Sequence, residues 1–160
     1  MTEPHADRPV MPGYGVPETT EGILPWEWAE ERITASHNIY LATTHPDGRP
    51  HIMPIWGVWA EGAFFFSTAA DSRKAKNLAA NPNCAIATED ASEAVIVEGL
   101  AALETDPATL AEFTRAYKEK YDWDIDATAG GIYRVQPKKA FGFQEAADDF
   151  AETSTRWVWD

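Results

Sequence analysis

The segment from Ser67 to Leu78 contains the residues whose types and spacing are best suited to chemistry. Its sequence is STAADSRKAKNL, in which Arg73, Lys74 and Lys76 place three basic residues within four positions. Hydroxyl donors, a helix N-terminus and flexible cations are the groups that bind phosphate in proteins. The same spacing also fits the solvated start of a basic surface helix, and the charges alone do not separate the two interpretations.

The charge of the whole chain limits the partners of such a cluster. The 160 residues include 26 Asp and Glu against 13 Lys and Arg, which gives a net charge of −13. This negative field repels nucleic acids and anionic membranes, so we expect neither as a partner. A small anion remains compatible with it, because salt screens exposed charges that are more than about 8–10 Å away.

The elements that must position this segment follow from apolar periodicity and turn residues. Pro25 and an apolar stripe predict a helix to about Ser36, after which the period becomes that of strands. The predicted strands are 38–44, 51–59, 63–68, 84–88, 94–104 (with a bulge at Gly99), 132–144 and 155–159, and two further helices are 72–80 and 106–120. Closely spaced strands with few helices favour a mainly β fold, an antiparallel β-barrel with peripheral helices.

Two parts of the chain differ in composition. Residues 1–24 are rich in Pro and Gly without a sustained apolar period, and they are predicted to be a flexible or extended N-terminal arm. Residues 25–160 are predicted to form a single domain. The N-terminus lacks a signal-peptide pattern and no apolar run reaches about 18 residues, so we expect a cytoplasmic protein.

Several single residues have competing interpretations. Cys84, the only cysteine, lies in an apolar stretch and is predicted to be a small buried core residue. Pro54 interrupts a predicted strand, which indicates either a sheet edge or a place where a flat ring rests on the backbone. Tyr121 and Trp123 either line a pocket for a planar substrate or anchor a surface loop. The four histidines lack metal-ligand spacing, and we expect no metal.

Three motifs occur in a fixed order along the chain. They are the D-G-R-P turn at 47–50, the H-I-M-P-I-W strand at 51–56 and the S-R-K-A-K-N-L helix at 72–78. With these motifs, residues 26–145 resemble the pyridoxamine 5′-phosphate oxidase-like split barrels. The sequence is more narrowly similar to their flavin/deazaflavin branch, which contains many oxidoreductases that depend on coenzyme F420.

The resemblance implies a six-stranded antiparallel split β-barrel of the FMN-binding type. It also implies a homodimer with two cofactor grooves along the subunit interface. The residues that would hold the cofactor phosphate are Ser67, Thr68, Arg73, Lys74 and Lys76, with Asn77 as a further polar contact. Those that would lie against the tricyclic ring are Met53, Pro54, Ile55 and Trp56. Trp157, in the T-R-W ending, would close over the groove, although packing inside the barrel explains it equally well.

The function that this resemblance implies is hydride transfer from reduced coenzyme F420 to a small conjugated or aromatic substrate. An FMN-dependent reductase or oxidase is the alternative within the fold, because both cofactors present a ribityl phosphate. A non-catalytic carrier of flavin or haem is the alternative from another class. No catalytic side chain is predicted, since the reduced cofactor supplies the hydride. The acidic stretch at 144–150 disfavours a phosphorylated substrate.

Overall fold

A computed structural model of the protein describes residues 3–129, 131–146 and 149–160. The strands in these ranges are β1 His5–Asp7, β2 Ile39–Thr44, β3 Pro50–Ile55, β4 Gly57–Ala60, β5 Ala63–Ser67, β6 Asn83–Thr88, β7 Glu93–Leu103, β8 Ile132–Gln144 and β9 Thr155–Val158. The helices are α1 Trp26–Ala35, α2 Arg73–Ala80, α3 Pro107–Tyr121 and α4 Phe150–Thr153, with a 3₁₀ turn at Ala127–Ala129.

The strands form one antiparallel sheet that curls into a split barrel. Its hydrogen-bonded order is β1-β9-β8-β7-β6-β2-β3, and β5 connects β8 to β4. The sheet does not close, because β3 and β4 are joined at Trp56 by the chain and not by a hydrogen-bonded ladder. The predicted mainly β split barrel is therefore confirmed, although the described residues form nine strands where six were expected.

The interruption of the return strand lies at Trp56 and not at Pro54. Pro54 pairs with Tyr40 inside β3, which stands at the end of the sheet order. A strand at this edge tolerates a residue without an N–H, because the missing donor would otherwise face away from the neighbouring strand. Of the two interpretations of Pro54, the structure supports the sheet edge.

The three phenylalanines of β5 show how the core is divided. Successive strand residues point to opposite faces. Phe64 and Phe66 accordingly enter the main core inside the barrel, whereas Phe65 enters a second cluster beneath α3 with Phe113 and Tyr117. Both faces of β5 are buried, and its end at Ser67 is held in a fixed position.

Helix α2 begins and ends where the sequence predicts. The Ser72 side chain caps the helix by accepting a hydrogen bond from the N–H of Ala75 at 3.1 Å. The helix ends before Asn81-Pro82, since the residue preceding a proline disfavours helical backbone. The predicted bulge is also present, as a register shift between Glu98 and Gly99.

The N-terminal segment, predicted to be flexible or extended, contains the short strand β1, which pairs with β9. Asp7 forms an ion pair with Arg156, and the Arg8 guanidinium donates to the carbonyls of Thr19 and Glu21 and, across the chain, of Glu152. These contacts attach the segment to the end of the barrel. Among the helices of the described residues, none has the length and apolarity needed to cross a membrane.

Cys84 lies in the core, as predicted. Its side chain is buried in β6, and this burial raises the pKa of the thiol to about 12. A thiol that stays protonated at neutral pH is a poor nucleophile. We therefore assign Cys84 no chemical role.

Candidate cofactor site

The end of β5 and the start of α2 form a compact polar corner. The backbone N–H of Thr68 donates to the carbonyl of Gly131 at 2.9 Å, which ties this corner to the start of β8. The Thr68 hydroxyl donates to the Ser72 hydroxyl, also at 2.9 Å, and Ser72 caps the helix. Ser67 precedes this pair as the last, half-buried residue of β5. The predicted hydroxyl residues are thus brought together at the N-terminus of α2.

The three predicted cations follow directly on α2. Arg73 and Lys76 are exposed and Lys74 is half-buried. Within residues 3–129, 131–146 and 149–160, none of them takes part in an ion pair, whereas Arg32, Arg115 and other basic residues do. Positive charge at a helix N-terminus that no carboxylate neutralises is suited to binding an anion.

The β2–β3 hairpin adds two histidines for which the sequence analysis expected no metal, His45 in the turn and His51 in β3. The rings of His45 and His51 meet edge to face, with centroids 5.5 Å apart. Partial desolvation, followed by the positive charges of Arg49 and Arg73, lowers the pKa of His45. The hydrogen bond from Asn77 to Thr43, two residues before His45, places this end of the β2–β3 hairpin beside α2. In the sequence, the spacing of His45 and His51 across a predicted turn was the signal that could have indicated the contact between their rings.

Asn77 has a structural position that the prediction did not anticipate. Its side chain is 0% exposed, and its Nδ2 donates to the Thr43 hydroxyl at 3.0 Å. The Oδ1 atom has no hydrogen-bond partner among the described residues. Asn77 therefore fastens α2 to β2 from inside the barrel, and its side chain does not extend toward the exposed cations.

The four residues predicted to contact the ring, at the end of β3 and just beyond it, differ in their exposure. Ile55 is buried in the barrel core opposite Ile39. Met53 is 45% exposed, Trp56 is 38% exposed, and Pro54 also lies at the surface. Three of the four are thus accessible to a ligand, whereas Ile55 is not.

Trp56 belongs to an aromatic cluster at the end of α3. Its indole stacks on the Tyr121 ring with centroids 4.6 Å apart and an interplanar angle of 4°, and the His37 ring meets it edge to face at 5.4 Å. Sequence analysis placed Tyr121 in a loop, but it is the last residue of α3. Trp123, two residues later, is 60% exposed.

Lys120 completes this cluster from the same helix. Its ammonium group donates to the carbonyl of Gly57 at 3.0 Å and lies 5.2 Å from the centre of the Tyr121 ring. Burial lowers the pKa of Lys120 to about 8, with the negative charge of Glu89 partly opposing this shift. A half-buried lysine of this kind was not predicted, since helical spacing alone gave no reason to separate it from Lys118.

Trp157 does not lie over a groove. The residue is 0% exposed and packs edge to face against Trp26 inside the barrel, with ring centroids 5.3 Å apart. Its position corrects the prediction that it closes over the cofactor, and the structure supports packing inside the barrel. In β9 an inward-pointing aromatic residue fills the core.

The outer face of β2, β3, β6 and β7 carries apolar side chains. Tyr40 lies beside Pro54, and Ile52, which is 61% exposed, lies beside Ala42. Leu100 continues the same face on β7. A depression of about 410 Å³ opens on this face. Its lining residues include Ala42, Thr44, Pro50, Ala85 and Lys138.

Comparison with known protein families shows to which family this chain belongs. The family model described as pyridoxamine 5′-phosphate oxidase matches residues 26–154. The chain belongs to this family. No protein in the curated collection of known sequences matches it.

Solved structures agree with this family assignment. A conserved hypothetical protein from Mycobacterium tuberculosis is 21% identical with a TM-score of 0.68, over 81% of this chain and 90% of that chain. A putative 5-nitroimidazole antibiotic resistance protein from Bacteroides thetaiotaomicron is 13% identical with a TM-score of 0.67. The match covers 85% of this chain and 87% of that chain. An F420 reductase is 24% identical with a TM-score of 0.56. The match covers 76% of this chain and 98% of that chain. At these identities the similarity establishes the fold alone.

Proposed function

We propose that this protein is an oxidoreductase that transfers a hydride between reduced coenzyme F420 and a small conjugated or aromatic substrate. The observation that carries the proposal is the set of cations at the start of α2, which form no ion pairs within the described residues. In a chain with a net charge of −13, these cations are the natural attachment point for the phosphate of a cofactor.

The geometry of β3 fits a ligand with a phosphate at one end and a ring at the other. His51 pairs with Thr43, to which Asn77 of α2 donates a hydrogen bond, and Trp56 follows five residues later beyond the end of β3. Five residues of extended strand span roughly 16 Å, comparable to an extended flavin nucleotide. Ser67, Thr68, Arg73, Lys74 and Lys76 would hold the phosphate, and Met53, Pro54 and Trp56 would contact the ring.

The choice of F420 over FMN is supported by the deazaflavin-like motifs and by the similarity to an F420 reductase. The bound cofactor would supply the hydride, and the protein would supply binding and orientation. The chain's own residues would thus act through charge at α2 and through the aromatic surface at Trp56. The similarity to a putative 5-nitroimidazole resistance protein is a reason to include nitroaromatic compounds among the substrates tested.

We also propose that two copies of the chain associate through the outer face that carries Tyr40, Ile52 and Leu100. Contiguous exposed apolar side chains of this kind mark interaction surfaces. Replacing Ile52 with Glu should convert the dimer to a monomer in light scattering. Val10→Glu, at an exposed apolar residue elsewhere, should not.

The decisive experiment for the cofactor is a titration of the purified protein with F420 and with FMN, followed by ligand fluorescence. We expect F420 to bind more tightly, and equal or preferential binding of FMN would overturn that choice. Reduced cofactor should then be oxidised faster in the presence of protein with at least one of a panel of enones, quinones and nitroaromatics. Tight binding without any such acceleration would identify a carrier instead of an enzyme.

A further inference from the structure

Trp56 lies between two hydrogen-bonded ladders. The β2–β3 ladder ends with the pair of Ile39 and Ile55, and the β4–β5 ladder begins with the pair of Gly57 and Phe66. The residue at such a break gains its orientation from side-chain contacts and not from strand pairing. Its position on the proposed cofactor groove makes those contacts important for function.

Tyr121 provides the largest of these contacts. Its ring covers one face of the Trp56 indole in a nearly parallel stack. Its hydroxyl accepts a hydrogen bond from the N–H of Gly57 at 2.9 Å and lies 2.8 Å from the carbonyl oxygen of His37, to which it donates. A single side chain thus contacts the indole, the backbone of Gly57 directly after it and the backbone of His37.

Gly57 is constrained from the other side as well. The Lys120 ammonium group donates to its carbonyl, and a Cβ atom at this residue would lie 2.2 Å from Cζ of Phe64. The backbone after Trp56 is therefore fixed between α3 and the barrel core. The exposed part of the indole, 38% of the residue surface, must lie away from the face that Tyr121 covers.

We infer that Tyr121 is a positioning residue of the cofactor site, which holds Trp56 as a one-sided aromatic platform for the ring of a planar ligand. The inference rests on the proposed function. Stacking recognises a flat π-system without selecting particular hydrogen-bonding groups. Tyr121 should therefore affect the binding of the ring and leave the binding of the phosphate unchanged.

The test compares Tyr121→Leu, which removes the stack, with Tyr121→Phe, which keeps the ring. The ligands are F420, its phosphate-free deazariboflavin fragment, and inorganic phosphate as a competitor. In Tyr121→Leu we expect F420 and the fragment to bind more weakly by the same factor, about threefold to tenfold, with the competition by phosphate unchanged. Tyr121→Phe should restore most of the affinity. Tyr14→Leu, the same substitution at a distant exposed tyrosine, is the matched control.

A second measurement examines the contact without any ligand. In protein labelled with ¹⁵N-tryptophan, the indole N–H signal that disappears in Trp56→Phe identifies Trp56. This signal should shift in Tyr121→Leu and stay in place in Tyr14→Leu. An unmoved signal overturns the inference, as does a shifted signal with wild-type affinity for the deazariboflavin fragment. If the wild-type protein itself binds neither F420 nor the fragment, the proposed function fails and the inference fails with it.

Discussion

Around the Pro50 end of β3 the functional side chains are charged and extend into water, whereas beyond its Ile55 end they are aromatic and tied to backbone carbonyls. Arg73 and Lys76 are exposed and form no ion pair in the described ranges. Trp56, by contrast, is stacked on Tyr121 and flanked by a glycine that two side chains of α3 hold in place. The two regions lie near opposite ends of β3 but are stabilised in different ways.

The difference between the two regions corresponds to two tasks, attracting the cofactor and orienting its ring. Flexible cations attract an anion from any direction and adapt to it, but they fix its geometry poorly. A packed aromatic platform contributes less long-range attraction and defines where a ring must lie. Hydride transfer requires both, because reacting atoms must be held close together and aligned.

The largest expected effect is at the aromatic end, where Gly57→Ala should break the packing. The new Cβ would lie 2.2 Å from Cζ of Phe64 and 2.7 Å from the carbonyl oxygen of Phe65. We expect the free energy of unfolding to fall by about 3 kcal/mol, as for severe overpacking of a core. Urea denaturation of the wild type and of Gly57→Ala measures this difference in the free energy of unfolding.

The control for this substitution is Gly48→Ala at the hairpin turn. Gly48 has a φ of +88°, but a Cβ added there would meet open space. Gly48→Ala then lowers the free energy of unfolding only through the left-handed backbone conformation, by about 1–2 kcal/mol. Equal losses for the two variants would contradict the view that the chain is tightly packed after Trp56.

At the phosphate end we expect an effect on affinity and little on stability. Replacing Lys74 and Lys76 together with Ala should weaken F420 binding by at least ~10-fold, because charge-assisted contacts with phosphate are lost, about 1.4 kcal/mol in total. Fluorescence titration gives the dissociation constants. The double variant Arg115→Ala with Lys118→Ala removes the same charge from exposed positions on α3. If it weakens binding equally, the effect is one of net charge and not of the α2 site.

The sequence predicted the local features of both ends better than the contacts between distant segments. The helix predicted at 72–80 and the bulge predicted at Gly99 follow from residues close in the chain, and both are present. The stack of Trp56 on Tyr121 joins residues far apart in sequence, where no local pattern records the contact. Trp157 was ambiguous for the same reason, since an aromatic residue near the chain end fits a lid and a core equally well.

Asn77 illustrates a further limit, and its substitution sharpens the comparison. The family resemblance implied that Asn77 is a further polar contact to the cofactor, but its amide donates to the Thr43 hydroxyl inside the barrel. Asn77→Ala should lower the free energy of unfolding by about 1 kcal/mol through the lost buried hydrogen bond. The affinity for F420 should be almost unchanged. A loss of affinity comparable to that of the lysine variant, without loss of stability, would restore Asn77 as a ligand contact.

The smallest effect that we predict concerns Lys120 and the pH dependence of stability. Burial lowers its pKa from the ordinary 10.5 of an exposed lysine to about 8 in the folded protein. Between these two values the unfolded chain keeps a proton that the folded protein has released, so the free energy of unfolding rises with pH. Below about pH 8 both states are protonated and the cost of burying the charge is present in full.

Lys120→Met should remove this rise, which urea denaturation from about pH 7 to 10.5 would show as a difference curve between wild type and variant. Lys118→Met is the matched control two residues away on the same helix. Hydrogen bonds to Asp122 and Asp124 raise the pKa of Lys118, so its stabilising contribution is lost only as pH rises through that higher value. Up to about pH 10.5 the difference curve for Lys118→Met should therefore stay nearly flat, while the curve for Lys120→Met changes with pH. A flat curve for Lys120→Met would mean that water reaches the ammonium group, and that the aromatic end is less tightly packed than its contacts indicate.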